Sequence, residues 1–182
     1  MQPIKQLAHV LGRLASEGQT LFTLADLRAT LPEHSVGAFR AVVMRAEREG
    51  LLRRVCRGLY RYPAAGSSDG LLLYHAAARL RAGAFNYISL ESVLSDAGVI
   101  SQIPMNHVTL MSSARTATLS CGEFGSIECV HTKKRPAELA DQLVYDARCH
   151  LWRASVALAL RDMTAARRNL DLVQQEVIGD TL

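Results

Sequence analysis

The residues in this chain best suited to chemistry are arginines. Four of them, Arg53, Arg54, Arg57 and Arg61, lie in the nine-residue stretch RRVCRGLYR, with no acid between them. A guanidinium is permanently charged and presents a planar fork of N–H donors that matches phosphate oxygens and guanine edges. Arg45 and Arg48 precede this cluster in the helix-forming run VGAFRAVVMRAEREG, and Arg40 lies nearer the start of that run. If Arg57-Gly58 forms a two-residue turn, the simplest register puts Cys56 opposite Leu59 and Arg54 opposite Arg61 on one face of a ribbon. Like charges directly opposite repel. A polyanion beside that face would turn the repulsion into attraction, whereas an ordinary hairpin would let the same arginines reach water.

The elements that position these arginines follow from periodicity. Val36, Phe39, Val43 and Ala46 recur at helical spacing, with Val42 beside them, and predict a buried face. Gly37, Ala38, Ala41, Arg45 and Arg48 make the outer face, small enough to approach a groove and armed with donors, while Arg40 lies at its edge. Ser35 is the expected N-cap and Gly50 the expected C-terminal stop. Upstream, Ile4, Leu7, Val10, Leu11 and Leu14 form an amphipathic helix ending near Gly18. Thr23 caps a short second helix through Leu24, Leu27 and Leu31, with Asp26 in its first turn and Pro32 as its stop. Helix, short helix, turn, helix, basic hairpin is the order of a winged helix-turn-helix, in which the third helix enters the major groove and the hairpin, the wing, touches backbone. Residues 1–62 are therefore expected to form a DNA-binding domain, with Ser35, Arg40, Arg45, Arg48, Arg53, Arg54, Arg57 and Arg61 as its candidate contacts.

Charge divides the chain at the same place. Residues 1–62 hold ten Lys or Arg against five acids, a net of +5, so a whole chain of +4 leaves −1 for the remainder. A basic excess confined to one part marks a specific polyanion partner more than general stickiness. At 182 residues and 49% hydrophobic content, the chain has room for one or two domains with a sizeable core. It shows no apolar run near the roughly 18 residues of a membrane span and no signal-peptide pattern, which predicts no membrane partner and a cytoplasmic location. Its four cysteines show no C-x-x-C spacing and read as reduced structural thiols.

Residues 63–70, PAAGSSDG, read as a linker. The second domain, residues 71–182, is expected to hold a helix from Leu71 to Arg81 and another capped by Ser89, running through Leu90, Val93 and Leu94 to Gly98. Three strands follow at His107–Met111, Ala117–Cys121 and Ser126–His131, predicting a small antiparallel sheet. From Pro136 to about Val177 the apolar residues Leu139, Leu143, Ala147, Leu151, Ala154 and Leu158, then Leu170, Val173 and Val177, predict C-terminal helices. The expected fold class is α+β.

Catalytic and metal-binding alternatives draw on the second domain. Glu91, Asp96, Glu123 and Glu128, with Lys133 and Lys134, are the raw material of a magnesium-dependent nuclease, but no acid-x-lysine pair lies on a strand. Cys129, His131, Cys149 and His150 lack the usual zinc-ligand spacing. The chain contains no G-x-G-x-x-G, Walker loop or nucleophile elbow. The reading is of no enzyme, no catalytic or metal residue and no cofactor. Lys133-Lys134-Arg135 is a further basic run, either a second phosphate contact or a solvated lead-in to Pro136.

The segments CRGLYRYP, NYISLESVLSDAGVISQIP and GSIECVHTKK, in this order after a winged-helix pattern, resemble the AbiEi family of antitoxins from bacterial type IV toxin–antitoxin systems. The resemblance covers most of the chain. It implies a DNA-binding transcriptional repressor that controls its own operon, and a nucleotidyltransferase-type toxin as functional partner, countered without a stable complex. It places Arg45, Arg48, Arg53, Arg54, Arg57 and Arg61 where the family contacts DNA, and links the second domain to antitoxin action. The alternative is a winged-helix module that docks a partner protein such as the toxin. Oligomeric state stays open at this point.

Overall fold

The computed structural model describes residues 2–66, 70–100, 106–171 and 173. The chain divides into two compact units, Met1–Gly70 and Leu71–Leu182. Within the expected linker, Pro63–Ala65 form a single 3-10 turn, and residues 67–69 lie outside the described set.

The first unit runs α1 (Pro3–Ser16), β1 (Leu21–Thr23), α2 (Leu24–Ala29), α3 (Val36–Arg48), β2 (Arg53–Cys56) and β3 (Leu59–Arg61). The apolar stripes of the three helices close on one core of Leu7, Leu11, Phe22, Leu27, Leu31, Phe39, Val43, Ala46, Leu52 and Tyr60. A capping box starts α2: the Thr23 hydroxyl accepts from the Asp26 N–H, and the Asp26 carboxylate accepts from the Thr23 N–H at 2.7 Å. Strand β1 is too short to show a sequence period. It exists because β3 pairs with it, Phe22 opposite Tyr60, making an antiparallel sheet in the order β1-β3-β2.

The second unit runs α4 (Leu72–Leu80), β4 (Asn86–Ile88), α5 (Leu90–Asp96), β5 (His107–Ser112), β6 (Ala117–Ser120), β7 (Ser126–His131), β8 (Leu143–Asp146), β9 (Leu151–Ala154) and α6 (Val156–Ala165). Its sheet differs from the expected small antiparallel one. Six strands are ordered β6-β7-β5-β4-β9-β8, and the β5–β7 and β4–β9 pairs are parallel.

The expected helices after Pro136 are also corrected. Pro136–Glu138 and Ala140–Gln142 are single 3-10 turns, Leu143 to Ala154 form the β8–β9 hairpin, and among the described residues only Val156–Ala165 is α-helical in this stretch. Leu143, Ala147, Leu151 and Ala154 fit a helical stripe, but Val144, Tyr145 and Trp152 favour a strand, and the chain between them is locked as a turn. The Asp146 carboxylate accepts from the Arg148 and Cys149 N–H groups at 3.0 and 3.4 Å, and His150 adopts a left-handed φ of 56°. Leu170 and Val173 lie beyond α6, and Val177 lies outside the described residues. Ser89 does not cap α5 with its side chain. Its hydroxyl donates to Asp162 at 2.8 Å instead.

Candidate nucleic-acid interface

Helix α3 begins where the Ser35 hydroxyl accepts a hydrogen bond from the Ala38 N–H at 3.2 Å. That bond occupies the Ser35 side chain as a cap, so its place among the candidate contacts rests on its position at an exposed helix start. Phe39, Val43 and Ala46 are buried, and Gly37, Ala38, Arg40, Ala41, Arg45 and Arg48 are all exposed. Two residues alter the outer face. Val36, expected on the buried face, is 59% exposed because it is the first helical residue and overhangs the core, and Met44 is 69% exposed beside the arginines. By the 100° advance per residue, Gly37, Ala41, Met44 and Arg48 stand most directly opposite the buried stripe, with Arg40 and Arg45 on its two flanks.

The arginines differ in how far their own chain holds them. The Arg45 guanidinium donates to Glu49 at 2.7 Å, an exposed pair one turn apart. Arg48 and Arg40 are exposed with no ion-pair partner among the described residues. Arg53, Arg54 and Arg57 are exposed on the hairpin, where the Arg54 guanidinium donates to the Cys56 carbonyl at 3.4 Å; Arg61 is half-buried and donates to the Gly66 carbonyl.

The hairpin turns at Arg57-Gly58, where Gly58 takes a φ of +80° that a side chain would resist. Its register departs from the sequence expectation. Cys56 does lie opposite Leu59, but an irregularity between Arg54 and Cys56 slips the ladder by one residue, so that Arg54 faces Tyr60 and Arg53 faces Arg61. The extra residue lets the consecutive Val55 and Cys56 of β2 both be buried, which strict alternation forbids. Two arginines still face each other at the open end of the ribbon. Burial and then the nearby Glu47 carboxylate push the Tyr60 phenol above its usual range, with Arg54 acting in the opposite sense.

In the second unit several of the ionisable groups pair with one another. Asp162 on α6 is fully buried and accepts from Tyr87 at 3.0 Å, Ser89 at 2.8 Å and Lys134 at 2.8 Å. Burial and the Asp162 charge push the Tyr87 phenol well up. The sequence reading missed this hub, although an aspartate within the apolar stripe of Leu158, Ala159 and Met163 signals it. The Lys133-Lys134-Arg135 run is divided by it: Lys134 serves Asp162, and Arg135 pairs with Glu138 at 3.2 Å. Of the carboxylates weighed for a nuclease, Glu91 and Glu128 both approach Arg168, and Asp96 pairs with Arg153 at 2.7 Å. Cys129 and Cys149 are buried, His131 bonds the Ala114 carbonyl, and the His150 ring packs against His75. Among the described residues no group of three His, Cys, Asp or Glu is arranged to hold a metal ion.

No protein-family model matches the sequence, and no curated protein does. Among solved structures, the fold is similar to the crystal structure of the RV2827C protein from Mycobacterium tuberculosis. The TM-score is 0.59 at 17% identity, over 92% of this chain and 64% of that one. The likeness is one of fold, and this chain spans about 64% of that protein's length in the crystal structure.

Chemically, the first unit offers a surface of cations on a capped helix and on the β2–β3 hairpin of its three-stranded sheet. Such a surface binds oriented anions by charge-assisted hydrogen bonds. No helix among the described residues is long and apolar enough to cross a membrane.

Proposed function

We propose that residues 1–62 act as a winged helix-turn-helix that binds double-stranded DNA, and that the protein is a transcriptional regulator. In this reading it is an autorepressing antitoxin of the AbiEi kind, acting in the cytoplasm beside a nucleotidyltransferase-type toxin that it counters without a stable complex. The observation that carries the reading is the hairpin: three exposed arginines and a fourth half-buried one on two short strands directly after α3. Arg48 and Arg40 extend the same charge along the helix, with Gly37 and Ala41 leaving room for close approach. Arg45 joins them once Glu49 gives it up, an exchange that an exposed ion pair permits at about 0–1 kcal/mol.

A second reading, a protein-docking module, is favoured by Val36 and Met44, which expose apolar surface on the same helix. Titration of the protein against labelled DNA from upstream of its own gene, with a scrambled duplex as control, separates the two. Salt-sensitive binding that prefers the native promoter supports the regulator. Equal binding to both duplexes removes promoter reading and moves the search to a protein partner captured by α3.

A further inference from the structure

The six-stranded sheet of the second unit ends in two unlike edges. Strand β6 presents Thr118 and Ser120 outward, a polar border of the usual kind. Strand β8, at the other end, carries Val144 at 73% exposure and Tyr145 at 49%, and its neighbour β9 adds Trp152 at 44%. Tyr145 and Trp152 are directly opposed across the hairpin, their rings edge-on with centroids 5.4 Å apart. No lysine or proline guards the strand itself, Leu143–Asp146.

The backbone of β8 states which pairing it can accept. The Ser155 N–H donates to the Gln142 carbonyl at 2.9 Å, so by antiparallel alternation Val144 and Asp146 also direct their groups at β9. Leu143 and Tyr145 therefore direct their N–H and C=O groups at the open edge. Of antiparallel two-fold pairings, the one that sets Leu143 of one copy opposite Tyr145 of another engages all four groups on each strand. It also sets the two Val144 residues face to face at the axis, a close, non-hydrogen-bonded pair with Cα atoms about 4.5 Å apart. On the other face it continues the row Trp152, Tyr145 into Leu143 and Ala154 of the second copy.

Charge selects the same partner and direction. Asp141 precedes the strand and Arg148 follows it, both exposed; Arg148 reaches Asp146 of its own hairpin only at 3.7 Å, whereas Arg153 is held more closely, by Asp96 at 2.7 Å and Asp146 at 3.3 Å. Antiparallel pairing of identical edges brings the Asp141 end of each copy beside the Arg148 end of the other. A parallel pairing would set like on like.

We propose that β8 is a self-association edge through which two copies of this chain join their second units into one continuous sheet about a two-fold axis at Val144. This is independent of whether the first unit binds DNA. Four residues a side make a small interface, so the dimer is expected to form reversibly, at about micromolar concentrations or above.

Sedimentation equilibrium of the full chain tests it. Wild type should approach twice the 19.9 kDa chain mass as concentration rises and return to chain mass on dilution. Val144→Lys sets two ammonium groups against each other at the axis and should stay at chain mass with an unchanged circular dichroism spectrum. Val144→Thr, which keeps the branched shape, should still dimerise. Val144→Cys should form a covalent dimer under mild oxidation, because a close antiparallel pair has disulfide geometry. Wild type should not, since its four cysteines are buried. A wild type at chain mass at every concentration overturns the proposal. So does a dimer that survives Val144→Lys, or one that Val144→Cys does not lock. Should Val144→Lys fail to fold, the cysteine variant decides alone.

Discussion

Replacing Arg54 and Arg57 together by alanine tests the proposed DNA surface on a quantity that counts contacts. Each phosphate neutralised contributes a slope of about −0.9 to log affinity against log salt. Arg45, Arg48, Arg53, Arg54, Arg57 and Arg61 together give about −5.4. Arg45 is bound to Glu49 at 2.7 Å and Arg61 donates to the Gly66 carbonyl. If both keep those partners on DNA, four contacts remain and the slope is about −3.6. In either case the double variant should lose about 1.8 from the magnitude. From 50 to 200 mM salt, a six-contact wild type should then lose affinity about 10³-fold, and its variant only about 10²-fold. Fluorescence anisotropy with a labelled duplex reads this, and sequence is immaterial to the slope. Both side chains are exposed, so thermal stability should change by no more than about 0.5 kcal/mol. Glu49→Gln separates the two cases: it releases Arg45 and should steepen the slope by about 0.9 only if the ion pair persists on DNA. An unchanged slope in a folded Arg54→Ala/Arg57→Ala protein would refute the wing as a phosphate contact.

Other substitutions read the scaffold. Gly37→Ala meets open space and should stabilise α3 by about 0.5 kcal/mol while weakening DNA binding, since its methyl group stands on the outer face; tighter binding would exclude close approach there. Asp162→Ala leaves the Lys134 ammonium and the Tyr87 and Ser89 hydroxyls without their acceptor, and urea unfolding should show a loss of about 3 kcal/mol. A loss below about 1 kcal/mol would deny Asp162 its role as hub. Alkaline titration should also destabilise the second unit. Burial, with Asp146 beside it, pushes the Cys149 thiol up to about 11 from its ordinary 9.0, so the unfolded chain releases this proton first. Stability is then at its full value below about pH 9 and falls as pH rises through 11, and the raised Tyr87 phenol acts in the same direction. A flat melting temperature from pH 8.5 to 10.5 would contradict it.

Legibility from sequence followed the range of the interactions involved. Helices α1, α2 and α3, with the Ser35 and Thr23 caps, are set by neighbours within a few residues, and each was readable as a period or a cap. The arginines were readable as a cluster because charge density is a property of the sequence itself. Their register was not: one extra residue at Val55 moved Arg54 from Arg61 to Tyr60, and only burial of Val55 and Cys56 together required it. Beyond Pro136 the apolar spacing fitted helix and hairpin equally. The decision fell to β4, whose parallel pairing with β9 supplies hydrogen bonds that no local pattern records.

By itself, then, the sequence determined that a basic, helix-rich first third precedes a nearly neutral remainder, and, Val36 apart, which face of the third helix is buried. Tertiary structure decided which charges remain available. It set Lys134 on a buried aspartate and Glu91 and Glu128 around Arg168, and left Arg48, Arg54 and Arg57 at the surface. The physical reason is that a charge's partner is chosen by distance in space. Residues 28 or 40 positions apart, as Lys134 and Asp162 or Glu128 and Arg168 are, meet only after the sheet has formed.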